Sequence, residues 1–386
     1  MMACLRILFA LSLAAMGSTA SAKDYSGYRV IDTTTLDLVA GPANTAALLS
    51  PDGRLLLHTD TSSLCLLAPA AKGSWSRVRC TEKIRNQSLV APEDTLWSPH
   101  GGRLVMPTFA ASLLRFEDTD IRVLDPAAMR IANLTDDGYD GAALKIPAAA
   151  NFDLAARWID DDTIAFLRYP GAPGGTISGG QPQLMKITAT GGEPAVLATL
   201  PRGSSLPVYV LAVSADGARI AYSYDDGHNP GVAGIYCVEL GNGTTRRIAA
   251  MADVGNPPRG MAFSADGTFV LLLGPNVANT GLEARALDLA TGKIVPVDAT
   301  RTVTGVAWSP TGAALAYVTG DRDKAGEPDG LFLTPHPGAP GRRLLKGALM
   351  PPVCCGSLPI TWAVNDTMIL GNVDDHRAPL FVRLGE

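Results

Sequence analysis

One short phrase recurs down this chain: Leu49-Ser-Pro-Asp-Gly53, Trp97-Ser-Pro-His-Gly101, Val213-Ser-Ala-Asp-Gly217, Phe263-Ser-Ala-Asp-Gly267 and Trp308-Ser-Pro-Thr-Gly312. Two degenerate copies, Trp158-Ile-Asp-Asp-Asp162 and Trp362-Ala-Val-Asn-Asp366, complete the set. The residue ahead of each turn falls at 49, 97, 158, 213, 263, 308 and 362. A repeat at this period means one supersecondary unit used many times, which limits the architecture more than any single residue does.

The copy around Val213 shows what the unit is. Tyr209 to Val213 has strand character, and Ser214 to Gly217 is turn chemistry, since Asp and Gly tolerate left-handed backbone. Arg219 to Ser223 alternates as a second strand, Gly234 to Glu239 reads as a third, Gly241-Asn-Gly243 marks a turn, and Thr244 to Ala249 is a fourth. Each repeat is therefore a four-stranded antiparallel sheet. Sheets of this kind bury both faces by stacking radially, so the expected fold is an all-β, seven-bladed β-propeller. After Trp362 the last repeat has only two more strands, Thr367 to Gly371 and Pro379 to Leu384. Tyr28 to Asp32 is a spare strand before the first repeat and is expected to supply the missing outer edge. Trp97, Trp158, Trp308 and Trp362 share one repeat position, and that regularity reads as packing between blades.

The hydrophobic-Ser-Pro-Asp-Gly phrase, followed by a third strand and a Gly turn, resembles the WD40-like repeats of TolB-type propellers. The resemblance runs from Thr45 to the C-terminus, and Asp52-Gly53, Asp216-Gly217 and Asp266-Gly267 carry it best. Gly320-Asp-Arg-Asp323 is similar to the Asp-rich loop that follows the second strand in such repeats. The resemblance implies the fold and says little of activity, because the family includes scaffolds, sensors and the propellers of peptidases and lyases. TolB carries an N-terminal α/β domain for which this chain has no room, and its ring commonly has six blades, so the envelope-complex role is not carried over. Neither Gly-x-Ser-x-Gly nor His-Glu-x-x-His occurs.

Residues 1–22 read as a secretory leader: Arg6 is the positive region, Ile7 to Met16 the apolar core, and Ala20-Ser-Ala22 the cleavage site. No later apolar run reaches membrane-spanning length. The expectation is an exported, monomeric protein of the periplasm or medium, with 386 − 22 = 364 residues forming one propeller from Lys23 to Glu386. A net charge of −5 with no Lys/Arg-rich run argues against a nucleic-acid partner. An oxidising compartment permits disulfides. Cys65 and Cys80 lie on adjacent strands at similar distances from one turn and are the expected pair; Cys354 and Cys355 are adjacent and either bridge each other or pair elsewhere; Cys237 reads as a buried free thiol. Zinc spacing is absent, and neither a metal nor a cofactor is expected.

The long connections, Pro107–Asp120, Asn133–Asp153, Tyr169–Gln181, Asp225–Gly234, Thr319–Gly330 and Lys346–Pro359, all belong to one face, which is where binding usually resides on a rigid scaffold. There Arg157, Arg259 and Arg301, with Asp94 and Asp153, precede first strands at the channel mouth, where arginines grip carboxylates or phosphates. The same residues also suit a water-filled channel of self-satisfied ion pairs. Asp226 and His228, with Asp375 and His376, fall in equivalent loops of opposite blades; they read as acid–base groups or as ordinary polar connections. The expected function is non-catalytic binding of a protein or peptide through the long-loop face. The alternative is a propeller lyase or hydrolase acting on a glycan or small cyclic ester at the channel mouth.

Overall fold

In the computed structural model the described residues are 23–35, 47–59, 64–70, 75–81, 88–89, 96–112, 115–138, 151–170, 181–201, 210–225, 229–275, 282–299, 301, 303–319, 330–346, 360–373 and 378–386. The chain opens on β1 (Arg29–Thr35) and then follows the sequence repeats. The first gives β2 (Ala47–Leu49), β3 (Leu56–Thr59), β4 (Leu64–Pro69) and β5 (Trp75–Cys80). The second gives β6 (Ser88–Leu89), β7 (Leu96–Trp97), β8 (Leu104–Ser112), β9 (Arg115–Asp125) and β10 (Arg130–Asn133). The third gives β11 (Asn151–Trp158), β12 (Thr163–Pro170), β13 (Gln183–Thr188) and β14 (Ala195–Thr199). The fourth gives β15 (Leu211–Val213), β16 (Arg219–Tyr224), β17 (Gly234–Glu239) and β18 (Thr244–Ala250), with the single helical turn α1 (Met251–Val254) behind it. The fifth gives β19 (Gly260–Phe263), β20 (Phe269–Pro275), β21 (Leu282–Asp288) and β22 (Ile294–Pro296). The sixth gives β23 (Val303–Trp308), β24 (Leu315–Thr319), β25 (Gly330–Thr334) and β26 (Arg342–Lys346). The last gives β27 (Ile360–Trp362), β28 (Thr367–Val373) and β29 (Ala378–Gly385).

Five sheets have four strands each, and four of these run in sequence order. In the fifth, β27, β28 and β29 are completed by β1, which pairs antiparallel with β29. The expected edge strand is therefore in place, three residues longer at its far end than the sequence suggested. The second and third repeats differ from expectation: they share one nine-stranded sheet, joined by the single parallel bridge Phe152–Thr119. Within it, part of the expected loop from Pro107 to Asp120 is strand, because β8 and β9 extend into a long hairpin. Six sheets thus account for the described strands.

The recurring phrase turns out to be a turn device. Its serines, Ser50, Ser98, Ser214, Ser264 and Ser309, are all buried. The Ser50 hydroxyl donates to Asp52 Oδ1 (2.6 Å) and accepts from the Leu55 amide (2.9 Å). Ser264 repeats this with Asp266 (2.6 Å) and the Phe269 amide (3.0 Å). The aspartates then accept the amide two residues on, at 3.0 Å in each of Asp52, Asp216 and Asp266. Burial works to raise the Asp216 and Asp266 carboxyls, but these hydroxyl and amide donors outweigh it and hold both below the usual range. The carboxylates are spent on the turn rather than on chemistry.

Glycine closes each turn because the backbone there is left-handed, with φ of 67° at Gly217 and 77° at Gly101. At Gly217 a Cβ would also stand 2.7 Å from the Ile159 carbonyl oxygen of the preceding repeat. Gly217→Ala is expected to cost about 1–3 kcal/mol, measured by denaturant unfolding. Gly101→Ala should cost less, since its Cβ would meet nothing nearer than Pro51 at 3.4 Å; equal losses would mean that backbone conformation alone matters.

The core lies between consecutive sheets. Central strands such as β24 and β25 are buried on both faces, whereas the outer β26 is largely exposed. One cluster joins Leu271, Leu273 and Ala286 of the fifth repeat to Val306, Trp308 and Tyr317 of the sixth. The repeat tryptophans fasten each first strand to the one before it. The indole N–H donates to Leu48 O from Trp97 (3.2 Å), to Leu96 O from Trp158 (3.0 Å) and to Ala262 O from Trp308 (3.0 Å). At Trp362 the pattern changes: Tyr25 packs on the indole edge-on at 4.9 Å, and the indole N–H has no partner among the described residues. The Cys65–Cys80 disulfide forms across directly paired positions of β4 and β5, and Cys237 is a buried free thiol. Cys354 and Cys355 lie outside the described residues.

Candidate functional site

Antiparallel connection puts the tight turns between first and second strands, three of them Ser-x-Asp-Gly, at one end of the sheets and the longer spans at the other. At the long-span end of the nine-stranded sheet, four elements deliver a buried polar cluster. Asp153 near the start of β11 stands directly opposite Arg168 near the end of β12. The guanidinium grips the carboxylate with both arms, Nε to Oδ1 at 2.8 Å and Nη2 to Oδ2 at 2.7 Å. Asp153 is only 1% exposed and Arg168 is packed over the Phe166 ring at 5.5 Å.

Asp120 of β9 lies in the same cluster. Asn133 Nδ2 donates to its Oδ2 at 2.7 Å, and the Thr135 hydroxyl reaches its Oδ1 at 3.4 Å. That hydroxyl also accepts from the Ile121 amide at 2.9 Å. Asp137 accepts from the Asn151 amide at 2.6 Å, which fastens the strand start of β11 beside the end of β10. The geometry explains why β11 approaches β9 at all: the carboxylates and their donors satisfy one another across the junction.

Burial raises the Asp120 carboxyl, with the Asn133 donor and the nearby Arg122 charge pulling it down and Asp137 and Asp136 pushing it up. Burial likewise pushes Asp153 up against the downward pull of Arg168 and Thr135. Arg168 loses solvation, yet its pairing with Asp153 raises it further and keeps it charged. An acid raised in the folded state binds its proton more readily there than in the unfolded chain. Its contribution to stability is therefore fully present below the unfolded value and is lost as pH rises through the folded one. Asp120→Asn should accordingly gain stability relative to wild type at pH 7 more than at pH 4. Denaturant unfolding at both pH values checks this; a variant weakened equally at both would show that Asp120 is ionised at no cost.

The other sequence-derived candidates have separate surroundings. Arg157 follows a bulge at Ala155 (φ 53°) and donates from Nε to Leu211 O at 3.0 Å, bridging to the fourth repeat. Arg301 pairs with Asp298 at 2.5 Å and lies over the Phe332 ring at 4.5 Å, while the Tyr317 hydroxyl donates to the same Asp298 oxygen at 2.8 Å. Arg259 is exposed. Asp94, Asp226, His228, Asp375 and His376 lie outside the described residues. Sequence reading reached Asp153 but missed Arg168, Asp120, Asn133 and Thr135. The Asp153–Arg168 pairing was hidden because the bulge between Leu154 and Arg157 shifts the hairpin register. Arg285 was missed as well: it is 6% exposed and donates to Val254 O and, at 3.5 Å, to Pro275 O. Among the described residues no three His, Cys, Asp or Glu side chains group as a metal site.

No protein-family model and no curated protein sequence matches the chain. Among solved structures it is similar to an oligogalacturonate lyase from Vibrio parahaemolyticus, with 12% identity over 92% of this chain and 97% of that one and a TM-score of 0.58. It is also similar to an oligogalacturonate lyase in complex with manganese, at 11% identity over 92% and 96% with a TM-score of 0.55. A chain of the mitotic checkpoint complex gives 14% identity over 98% and 99% with a TM-score of 0.54. All three are β-propellers, and the likeness shows that this chain has the propeller fold.

Proposed function

We propose that the chain is an exported seven-bladed propeller that binds a protein or peptide partner through its long-span face without catalysis. The observation that carries this is the asymmetry between its two ends. At one end, hydrogen-bonded Ser–Asp–Gly turns connect the strands; at the other, the strands are joined across 134–150, 171–182, 225–233 and 320–329. Extended, varied connections on a rigid scaffold are the usual seat of recognition. The count of seven rests on the repeat-to-repeat contacts. Trp158 donates to Leu96 within the nine-stranded sheet just as Trp97 and Trp308 donate between separate sheets, so that sheet reads as two blades. The Val364 amide donates to Pro51 O at 2.9 Å, bringing the last repeat against the first. The Cys65–Cys80 disulfide suits an oxidising compartment.

The test is mild cross-linking of the tagged chain in its own cell envelope, beside a variant whose 171–180 segment is replaced by a short Gly/Ser link. A stoichiometric partner held by the wild type and lost by the variant, at unchanged melting temperature, is the expected result. A clean monomer from both would overturn the reading.

A second reading, a lyase or hydrolase on a glycan or small cyclic ester, is favoured by Asp120, a desolvated carboxyl poised to carry a proton. The oligogalacturonate lyases share the fold with this chain at low identity. Cleavage of oligogalacturonate by the purified protein, abolished in Asp120→Asn, would establish this reading in place of the first.

A further inference from the structure

The opposite end of the molecule carries a feature that long-span binding does not use. Between the fourth and fifth repeats, at the tight-turn end, lies an open groove of about 570 Å³. Phe269 and Leu289, both half-buried, line it together with Arg219, Arg246, Thr268 and Asp288. Neither Arg219 nor Arg246 makes an ion pair among the described residues. Asp288 accepts from the Thr291 amide at 3.1 Å and the Ala290 amide at 2.8 Å, which fixes its carboxylate on its own turn, and these donors hold it below the usual range, so it stays charged.

Arg219 is held in place before any ligand arrives. Its guanidinium lies 5.4 Å from the Phe263 ring centre, and a Cβ at Gly267 would stand 2.3 Å from its Nη2. The missing side chain at Gly267 thus leaves the space that the guanidinium occupies. A charged fork fixed over an aromatic ring loses little entropy on gripping a carboxylate. Arg246 stands on β18, the outer strand of its sheet, and is exposed. Two guanidiniums and one carboxylate, Asp288, line the groove, in a chain that carries −5 as a whole; Glu239 stands opposite Arg219 in the strand register, and the Arg219 charge helps to lower Asp216, but neither forms an ion pair with it.

We propose that this groove binds an extended acidic peptide segment, its carboxylates on Arg219 and Arg246 and an intervening apolar side chain on Phe269 and Leu289. Charge complementarity selects the acidic residues, and the open shape selects a chain lying across it over a compact ligand, which needs most of its surface enclosed. The site is separate from the long-span face, so either can fail alone.

The test is fluorescence polarisation with a fluorescein-labelled peptide of alternating glutamate and leucine, with its glutamine counterpart as the control. Saturable binding of the glutamate peptide is expected, weaker by about fivefold or more for the glutamine peptide and weakening as salt rises. Arg246→Glu, at an exposed position, should lower the affinity by about fivefold or more with an unchanged melting temperature. Ala290→Glu, which places a like charge in the groove, should do the same. Replacing 171–180 should leave it unaltered. Equal binding of the two peptides, wild-type affinity in both variants, or no saturable binding at millimolar protein would each overturn the proposal.

Discussion

Removing residues 23–32 is expected to destabilise the protein more than any single substitution at its surface. These residues do two things at once. The strand β1 supplies the outer edge of the last sheet, with Val30 opposite Leu384 and Asp32 opposite Arg383. Ahead of it, Tyr25 and Tyr28 are 4% and 5% exposed and belong to the cluster that joins the sixth and seventh repeats. Their rings lie 4.9 Å apart, and Tyr25 stands as close to Trp362. Arg342 donates to Tyr28 O, and Lys23 pairs with Asp366 at 2.5 Å. Deletion exposes β29 as a free edge and opens a hole beside Trp362, so both lower stability and aggregation should follow. Tyr25→Ala separates the two effects: it leaves the strand and removes the ring, at a cost of about 3–5 kcal/mol. Lys23→Ala removes an ion pair whose Asp366 side is largely buried, and a cation 5.7 and 5.0 Å from the Tyr25 and Tyr28 ring centres, and should cost about 1–2 kcal/mol, still less than Tyr25→Ala. Denaturant unfolding of the three variants is the measurement. Wild-type stability in the deletion would mean that the strand adds nothing to closure.

Cys65→Ser is expected to cost about 3 kcal/mol, the value the chain-entropy account gives for a loop of this length. The cysteines are 15 residues apart and their positions face each other across β4 and β5. Cys65 is 1% exposed, so the variant also buries a hydroxyl where sulfur was. Unfolding with and without reductant distinguishes the contributions: reductant should weaken the wild type and leave the variant unchanged. A wild type indifferent to reductant, with two reactive thiols, would remove the bridge from the account. Cys237 should stay unreactive in the folded protein, because burial raises its thiol and it is fully enclosed.

The fold was legible because the repeat is written in local chemistry. A buried serine, an Asx turn and a left-handed glycine are decided within a few residues, so the phrase can be read without the rest of the chain. The hairpin disulfide was legible because both cysteines lie at similar distances from one turn, and the one-residue register shift between Leu66 and Leu67 brings them into direct opposition. The candidate cluster was largely illegible. Asp120, Asn133, Thr135, Asp153 and Arg168 come from β9 through β12, and nothing in their local sequence says that they share one buried volume. Likewise, the repeat predicted separate blades and could not foresee that β11 would bridge to β9, because one residue pair, Phe152 and Thr119, makes that join.

The sequence by itself thus determined the strand order, the turn chemistry, the ring of repeats and the strand that completes the last sheet, all consequences of short-range pattern. Only the tertiary structure decided which charges are consumed and which are left over. Asp153 is neutralised by Arg168, and Arg301 by Asp298, while Arg219 and Arg246 line a groove and make no ion pair among the described residues. The reason is physical: a charge is settled by what lies within a few ångströms of it and by how much water remains, and in a stacked-sheet fold those neighbours come from other repeats.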